Sequence, residues 1–435
     1  MRSDKLEQRT KMGERVLIVG IELDKDTIDI ENSLDELEEL VKAANGVAIT
    51  RLVQKRDSIN PAYYIGKGKA EEIKHYCDEL SITTVVFNDE LSGAQLRNLE
   101  KIIDKKIVDR TNLILDIFAN RAKSKEGKLQ VKLAQLKYRL PRLIGFRDYL
   151  SREGGGIGTR GPGEQKLETD RRHILREVNN IEKELREVEK VRKIKRKQRE
   201  GSSIPIVALV GYTNAGKSTL LNKIIELYGD GDETKEVYVE DMLFATLDTS
   251  LRKARMLNGQ NFLLTDTVGF VSKLPTKLIE AFKGTLEEAK YADLLLHVVD
   301  GSNSDLDIQI QTTLKILREL EVVDKPIITV FNKMDKVSID KLIYENRDVE
   351  NKVFISAKKG ENIKKLLKNI EEMLPHSYKL VTVNIPYDKQ SLVNYFMDNY
   401  QILKVEYMED GTILQLNINE IDMEKYKAYL KNYEE

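Results

Sequence analysis

Between Arg15 and about Arg110, short apolar runs alternate with segments whose apolar residues recur every three or four positions. Val16–Ile21, Gly46–Val53 and Thr83–Asn88 have the length and apolar character of strands. Ser33–Ala44, Lys69–Leu80 and Ala94–Asp104 have helical spacing. Strands alternating with helices predict a small α/β subdomain with a largely parallel sheet.

A long helical pattern follows from Asn112 to Tyr138 and is expected to end near Pro141. Six glycines within Gly154–Gly163 form a loop, and a second helical stretch runs from Leu167 to about Glu200. In it Leu167, Ile174, Val178, Ile181, Leu185 and Val188 fall on one face. Two long helices joined by a loop predict an antiparallel hairpin with the loop at its tip. Gly201-Ser202-Ser203 breaks the pattern before a second α/β block, which Pro375 closes. The tail alternates apolar and polar positions in Leu380–Ile385 and Ile413–Ile418, with a helix expected over Lys389–Asp398 between them. The expected divisions are residues 1–110 (α/β, nucleotide-binding-like), 111–202 (helical hairpin with glycine-rich loop), 203–375 (nucleotide domain) and 376–435 (small α+β domain).

Composition narrows this picture modestly. A net charge of −1 with a third of residues charged describes a well-solvated protein and does not by itself indicate a nucleic-acid partner. Local charge says more. Eight Lys/Arg stand against the single acid Glu126 between Arg121 and Arg142, and seven of ten residues are basic between Lys190 and Arg199. Such asymmetry points to polyanion contact at particular surfaces. One cysteine, Cys77, allows no intrachain disulfide and fits a reducing cytoplasm. The four scattered histidines form no zinc pattern. The N-terminus lacks the pattern of a secretory signal, and no stretch approaches the roughly 20 apolar residues of a membrane span. No integral membrane segment and no DNA partner are expected, and nothing demands a dimer.

The chemistry lies in the second α/β block. The strand Ile204–Val210 leads into Gly211-Tyr212-Thr213-Asn214-Ala215-Gly216-Lys217-Ser218-Thr219, which satisfies the phosphate-loop pattern G-x4-G-K-[ST]. Its glycines let backbone N–H groups curl around a β-phosphate, and the helix that starts there points its positive end at the anion. Lys217 supplies a charge to the β/γ oxygens, and Ser218 offers a hydroxyl to Mg²⁺. Ser250–Met256 and Phe262–Thr265 read as a hairpin around Asn258-Gly259-Gln260. Its second strand delivers Asp266-Thr267-Val268-Gly269, with Asp266 suited to the Mg²⁺ shell and the Gly269 N–H to the γ-phosphate. Upstream, Thr246 is the choice for a threonine that closes on Mg²⁺ and γ-phosphate, with Thr249 and Thr213 as weaker competitors. After the strand Ile327–Phe331, Asn332-Lys333-Met334-Asp335 offers a carboxylate for guanine N1–H and the exocyclic amine, where adenine presents nothing suitable. Ser356-Ala357-Lys358 follows, with the Ala357 N–H placed for guanine O6. Five motifs in order predict a GTPase with Lys217, Thr246 and Gly269 at the catalytic centre, and a metal shell of Ser218, Thr246 and Asp266. Phe270 stands where many GTPases place a water-orienting glutamine, which predicts slow intrinsic turnover. Asn214 fits either a K⁺ ligand beside the phosphates or a residue that merely shapes the loop.

Phe87-Asn-Asp-Glu-Leu-Ser-Gly-Ala-Gln-Leu-Arg-Asn-Leu-Glu100, Gly155-Gly-Ile-Gly-Thr-Arg-Gly-Pro-Gly-Glu164, Leu167-Glu-Thr-Asp-Arg-Arg172 and Tyr64-Ile-Gly-Lys-Gly-Lys69 accompany the nucleotide motifs. Together, over about residues 15–375, they resemble the HflX family of ribosome-associated GTPases. Gln165-Lys166 departs from the family's common Thr-Gln, whereas Phe270 matches it. The resemblance implies a P-loop GTPase domain preceded by an α/β subdomain with a long helical hairpin, plus a small C-terminal α+β domain. It also implies a cytoplasmic enzyme, with peripheral membrane association left open, that binds the large ribosomal subunit and hydrolyses GTP to GDP and phosphate. The implied activity is rescue or splitting of stalled or stressed ribosomes. Arg147, Arg152, Gly156, Gly158 and Arg160 in and around the glycine loop, with Lys193, Lys195 and Arg196 in the second helix, suit contact with RNA. A ribosome-assembly GTPase, or a nucleotide-regulated RNA-binding module with incidental hydrolysis, are the alternatives. ATP use by the N-terminal region has been suggested for the family, but this chain has no second phosphate-loop motif.

Overall fold

The computed structural model describes residues 13–24, 29–144, 162–200, 204–229, 251–267, 269–273, 289–303, 306–320, 322, 325–337, 349–374, 378–400 and 402–431. They fall into two units. Residues 13 to 189 form the first together with Ser272 and Lys273, and the other described residues form the second.

The first unit is built on a parallel sheet of order β2-β1-β3-β4, with β1 (Glu14–Leu23), β2 (Gly46–Arg56), β3 (Thr84–Phe87) and β4 (Lys106–Asp109). Inner strands β1 and β3 are buried on both faces, which is why Val16 to Ile21 reads as an unbroken apolar run. Helix α1 (Ile30–Ala43) turns Leu34, Leu37, Leu40 and Val41 inward and is capped by Asp29, whose side chain accepts from the Glu31 N–H at 3.1 Å. Helix α2 (Lys67–Glu79) starts at Gly66 with no side-chain cap. Helix α3 (Gly93–Ile103) carries a full capping box between Ser92 and Gln95. The expected elements are present; β4 is an addition, a four-residue strand too short to stand out as a periodic run.

The single helix expected over 112–138 is two. Helix α4 (Arg110–Arg121) ends at extended Ala122, and α5 (Lys125–Ile144) begins beyond Ser124, whose hydroxyl accepts from the Gly127 N–H at 2.9 Å. A serine that caps locally interrupts a pattern which apolar spacing alone would carry through. Pro141 lies inside α5 and does not end it. The next residue, Arg142, donates through its guanidinium to the Tyr138 carbonyl one turn back at 2.9 Å. Helix α6 (Pro162–Glu200) is 39 residues long. Leu133 and Leu136 of α5 pack against Val178 and Ile181 of α6, with the Lys132–Glu177 ion pair beside them.

The second unit contains two sheets. The larger has order β10-β9-β8-β5-β7-β6, from β5 (Ile206–Gly211), β6 (Leu251–Arg255), β7 (Asn261–Asp266), β8 (Leu294–Asp300), β9 (Ile327–Asn332) and β10 (Lys352–Phe354). All neighbours are parallel except the β6–β7 hairpin, whose turn holds Gly259 at φ 82°. Helices α7 (Lys217–Tyr228), α8 (Leu306–Glu319) and α9 (Ile363–Met373) belong to this part. Leu220, Leu221 and Ile224 of α7 and Leu366, Leu367 and Ile370 of α9 share one core with β5, β7 and β8. Central β5 therefore ends, buried, at the point where the nucleotide motif begins.

The smaller sheet is antiparallel, of order β12-β13-β11-β14, from β11 (Tyr378–Pro386), β12 (Ile402–Tyr407), β13 (Gly411–Asn419) and β14 (Leu430–Lys431). Helix α10 (Gln390–Asn399) covers it with Val393 and Phe396. Strand β12 was not expected. It is an edge strand whose residues are half-buried or exposed, so it lacks a marked apolar run. A short helix, α11 (Glu420–Lys425), follows β13. Among the described residues no helix is long and apolar enough to cross a membrane.

Candidate nucleotide-binding site

The site forms at the carboxyl end of β5, where neighbouring β7 and β8 are reached by connections on opposite sides. Open α/β sheets bind ligands at this kind of topological switch point. The loop from Gly211 to Lys217 needs positive φ at Gly211 (143°), Asn214 (58°) and Gly216 (90°). A Cβ on Gly211 would lie 2.2 Å from the Val298 carbonyl oxygen, and one on Gly216 would lie 2.2 Å from Asn332 Nδ2. Glycine is thus demanded twice, by conformation and by close approach. Gly216 caps α7 without a side chain, so no capping side chain takes the place an anion would occupy at the helix start.

Lys217 is buried, and its ammonium donates to the carbonyls of Gly211 (3.1 Å) and Tyr212 (2.8 Å). Burial pulls its pKa down to about 8, against the opposing pull of the Asp266 charge. Ser218 donates its hydroxyl to Asp266 Oδ2 at 2.6 Å, so the hydroxyl and carboxylate expected to share Mg²⁺ are brought together. Oxygen donors of this kind suit a hard divalent cation. Thr267 is buried and spends its hydroxyl on the Leu209 carbonyl at 2.7 Å. Gly269 packs on the phosphate loop: a Cβ there would lie 2.8 Å from Thr213 Cα and 3.0 Å from Lys217 Nζ. Phe270 is buried, its N–H donates to the Gly211 carbonyl (3.1 Å), and its carbonyl accepts from the Thr213 N–H (2.7 Å). An apolar ring turned into the core cannot orient a water molecule.

The guanine motif is braced from both sides. Asn332 donates through Nδ2 to the Ala215 carbonyl at 2.9 Å and accepts through Oδ1 from the Ala357 N–H at 3.0 Å. It ties the phosphate loop to the Ser356–Lys358 loop. The Ala357 N–H expected for guanine O6 is therefore engaged by Asn332 in this state. Ser356 donates to Asp335 Oδ1 at 2.7 Å, and that hydrogen bond lowers the Asp335 pKa and holds it as an oriented carboxylate acceptor. Lys333 reaches Asp300 Oδ2 at 2.8 Å and Asn214 Oδ1 at 3.5 Å.

Two participants were not read from sequence. Asp300, the last residue of β8, anchors Lys333; an acid closing an apolar strand beside the phosphate loop was its signal. His297, also on β8 and paired with Val210, is buried and held neutral, its pKa lowered to about 3 by burial and further by the Lys217 charge. Nothing in sequence separated it from the other histidines. Thr246, Thr249, Val268, Arg147, Arg152, Gly156, Gly158 and Arg160 lie outside the described residues, and Lys193, Lys195 and Arg196 are described only as part of the α6 backbone. Among the described residues no cluster of three or more His, Cys, Asp or Glu could hold a metal, so a cation here would depend on hydroxyl, carboxylate and phosphate oxygens.

Family models match nearly the whole chain. A GTP-binding GTPase N-terminal region covers residues 31–119 and a GTP-binding GTPase middle region 121–199. A 50S ribosome-binding GTPase domain covers 206–333 and an HflX C-terminal domain 341–433. The GTPase HflX of Lacrimispora saccharolytica is 50% identical over 400 residues, covering 92% of each chain. That of Caldanaerobacter subterraneus subsp. tengcongensis is 48% identical over 95% of this chain and 93% of its own. The Escherichia coli GTPase HflX is 40% identical over 95% and 96%. A crystal structure of a GTP-binding protein from Sulfolobus solfataricus in complex with GDP is 26% identical, covers 83% of this chain and 98% of that one, and superposes with a TM-score of 0.43.

Proposed function

The chain belongs to the HflX family of GTPases and is a GTP-hydrolysing enzyme, and from that premise we propose that its GTP cycle gates attachment to the large ribosomal subunit and serves to rescue or split stalled ribosomes. The observation that carries this is the joining, in one chain, of a braced guanine-nucleotide loop and a match to a ribosome-binding GTPase domain over residues 206–333, which include the phosphate loop and Asn332.

In this proposal Lys217 turns its ammonium from two loop carbonyls to the β/γ-phosphate oxygens, and the amides from Asn214 to Thr219 hold the phosphates. Gly269 presents its N–H to the γ-phosphate. Asp335 accepts from guanine, and Ser356 keeps it aimed. Ser218 and Asp266, joined by Thr246 in the closed state, would hold Mg²⁺, which neutralises charge on the phosphate oxygens. Asn214 has its amide oxygen turned toward an ammonium; K⁺ beside the phosphates would compete for that oxygen, and unequal turnover in K⁺ and Na⁺ would separate this role from loop shaping. Because Phe270 cannot position water, the subunit itself supplies or orders the missing catalytic element. Residues 1–110, 111–202, 203–375 and 376–435 act as four functional segments. The glycine loop with Arg147, Arg152 and Arg160, and the basic end of α6 with Lys193, Lys195 and Arg196, meet ribosomal RNA, in a cytoplasmic protein working as a monomer.

The test is GTP hydrolysis with and without purified large subunits, with ATP as the control. Strong stimulation of GTP turnover alone is expected. A rate indifferent to the subunit refutes ribosomal gating, and preferential stimulation by immature subunits moves the role to ribosome assembly.

A further inference from the structure

The sheet of the first unit has the same switch-point topology as the nucleotide sheet: β1 is central, and β2 and β3 are reached on opposite sides. Its carboxyl ends carry Asn88 and Asp89 after β3 and Arg110 after β4, facing Glu36 of α1. The crevice where such sheets take a ligand receives the chain's own Ser272 and Lys273. Ser272 donates its N–H to Glu36 Oε1 at 3.0 Å and its hydroxyl to Glu36 Oε2. Arg110 donates through Nη2 to Ser272 Oγ at 3.0 Å, pairs with Glu36 Oε2 at 3.0 Å, and donates through Nη1 to Asn88 Oδ1 at 2.8 Å. Lys273 reaches Asp89 at 2.7 Å. Arg110 is only 1% exposed, so its charge depends on these partners. Ser272 is held at its amide, its hydroxyl proton and its hydroxyl oxygen, as a bound ligand would be.

Val271 alone separates Ser272 from Phe270, whose backbone is clipped to Gly211 and Thr213. Immediately before it, Gly269 stands against Lys217 Nζ. A γ-phosphate would lie between the Gly269 N–H and the ammonium once Lys217 turns toward it, so GTP, unlike GDP, engages this segment. We propose that Glu36 and Arg110 are positioning residues which, by docking Ser272, restrain Gly269 and so set the preference of the site between GTP and GDP. Docking favours GDP, which asks nothing of Gly269. By reciprocity GTP weakens docking by the same factor. The proposal rests on the assignment of Lys217 and Gly269 to the γ-phosphate.

The test measures GTP and GDP dissociation constants by fluorescent-nucleotide titration on the full chain, with thermal unfolding alongside. Ser272→Ala, which leaves the backbone contact in place, should raise the GTP-to-GDP affinity ratio about fivefold, the lower end of ordinary coupling between sites. Ser272→Thr keeps the hydroxyl and should keep the wild-type ratio. Glu36→Gln should shift the ratio in the same direction as Ser272→Ala. A ratio within twofold of wild type for a normally folding Ser272→Ala overturns the proposal, as does an equal change in both affinities, which marks a merely structural role. Lys217→Ala tests the underlying site separately: loss of both nucleotides supports it, and unaltered binding overturns the site, whatever the Ser272 variants do.

Discussion

Two sheets in this chain share a switch-point order, and the helix starts at α7 and α4 are treated in opposite ways. In the nucleotide sheet a glycine loop separates β5 from α7, and the cap is Gly216, which has no side chain to offer. No capping side chain therefore competes with phosphate at the start of α7. In the other sheet β4 passes directly into α4, and the cap is Asp109, whose carboxylate accepts from the Asn112 N–H at 2.8 Å and the Leu91 N–H at 2.9 Å. Helices α1 and α3 are likewise capped by Asp29 and Ser92, whereas α2 starts at Gly66 with no side-chain cap. A carboxylate already at a helix start fills the place an anion would take and repels it. Topology thus prepares a site, and the capping residue decides whether phosphate can use it.

The largest effect expected is at Arg110. Arg110→Ala removes the guanidinium shared by Glu36, Asn88 and Ser272 and should destabilise the first unit by about 3–5 kcal/mol, the usual consequence of breaking a buried pair. Denaturant unfolding would show it, and a loss under 1 kcal/mol would mean that water substitutes readily for the guanidinium. Next, Lys217→Ala should weaken GTP and GDP binding on the order of 100-fold, as expected for removing charge-assisted hydrogen bonds, while Asp109→Ala should leave both affinities untouched. Titration of the two variants side by side tests the contrast directly. Asp109→Ala should instead destabilise by about 3 kcal/mol, because it removes both the cap and the buried partner of Arg142 at 3.1 Å, read as a lowered melting temperature.

The effect that is smallest at neutral pH, and grows only in acid, concerns His297. Burial holds its folded pKa at about 3, against 6.5 ordinarily. Between these values the unfolded chain binds a proton that the folded chain does not, so stability falls as pH drops below 6.5. The slope approaches about 1.4 kcal/mol per pH unit. His297→Gln should flatten that contribution while leaving stability above pH 7.5 little dependent on pH; an unchanged slope between pH 6.5 and 5 would show the imidazole charging in place.

The phosphate loop and the guanine tetrad were legible because backbone conformation and hydrogen-bond chemistry restrict those residues at fixed short spacing. Gly216 must be glycine at φ 90° against Asn332, and Asp335 must be an acceptor, whatever else the chain does. The helix and strand periods of both parallel sheets were legible for a similar reason: burial of one face repeats every few residues. What spacing could not reveal were contacts between residues far apart in the chain. The bridge from Asn332 to both Ala215 and Ala357, the neutral His297, and the grip of Glu36 and Arg110 on Ser272 join positions separated by 25 to 236 residues. No local preference encodes such pairings. Short-range stereochemistry was enough to specify the nucleotide chemistry and the alternation of elements, because the forces responsible act within a turn or a strand. Which charges are buried together, and which loop a crevice holds, was decided only when the folded chain removed those groups from water.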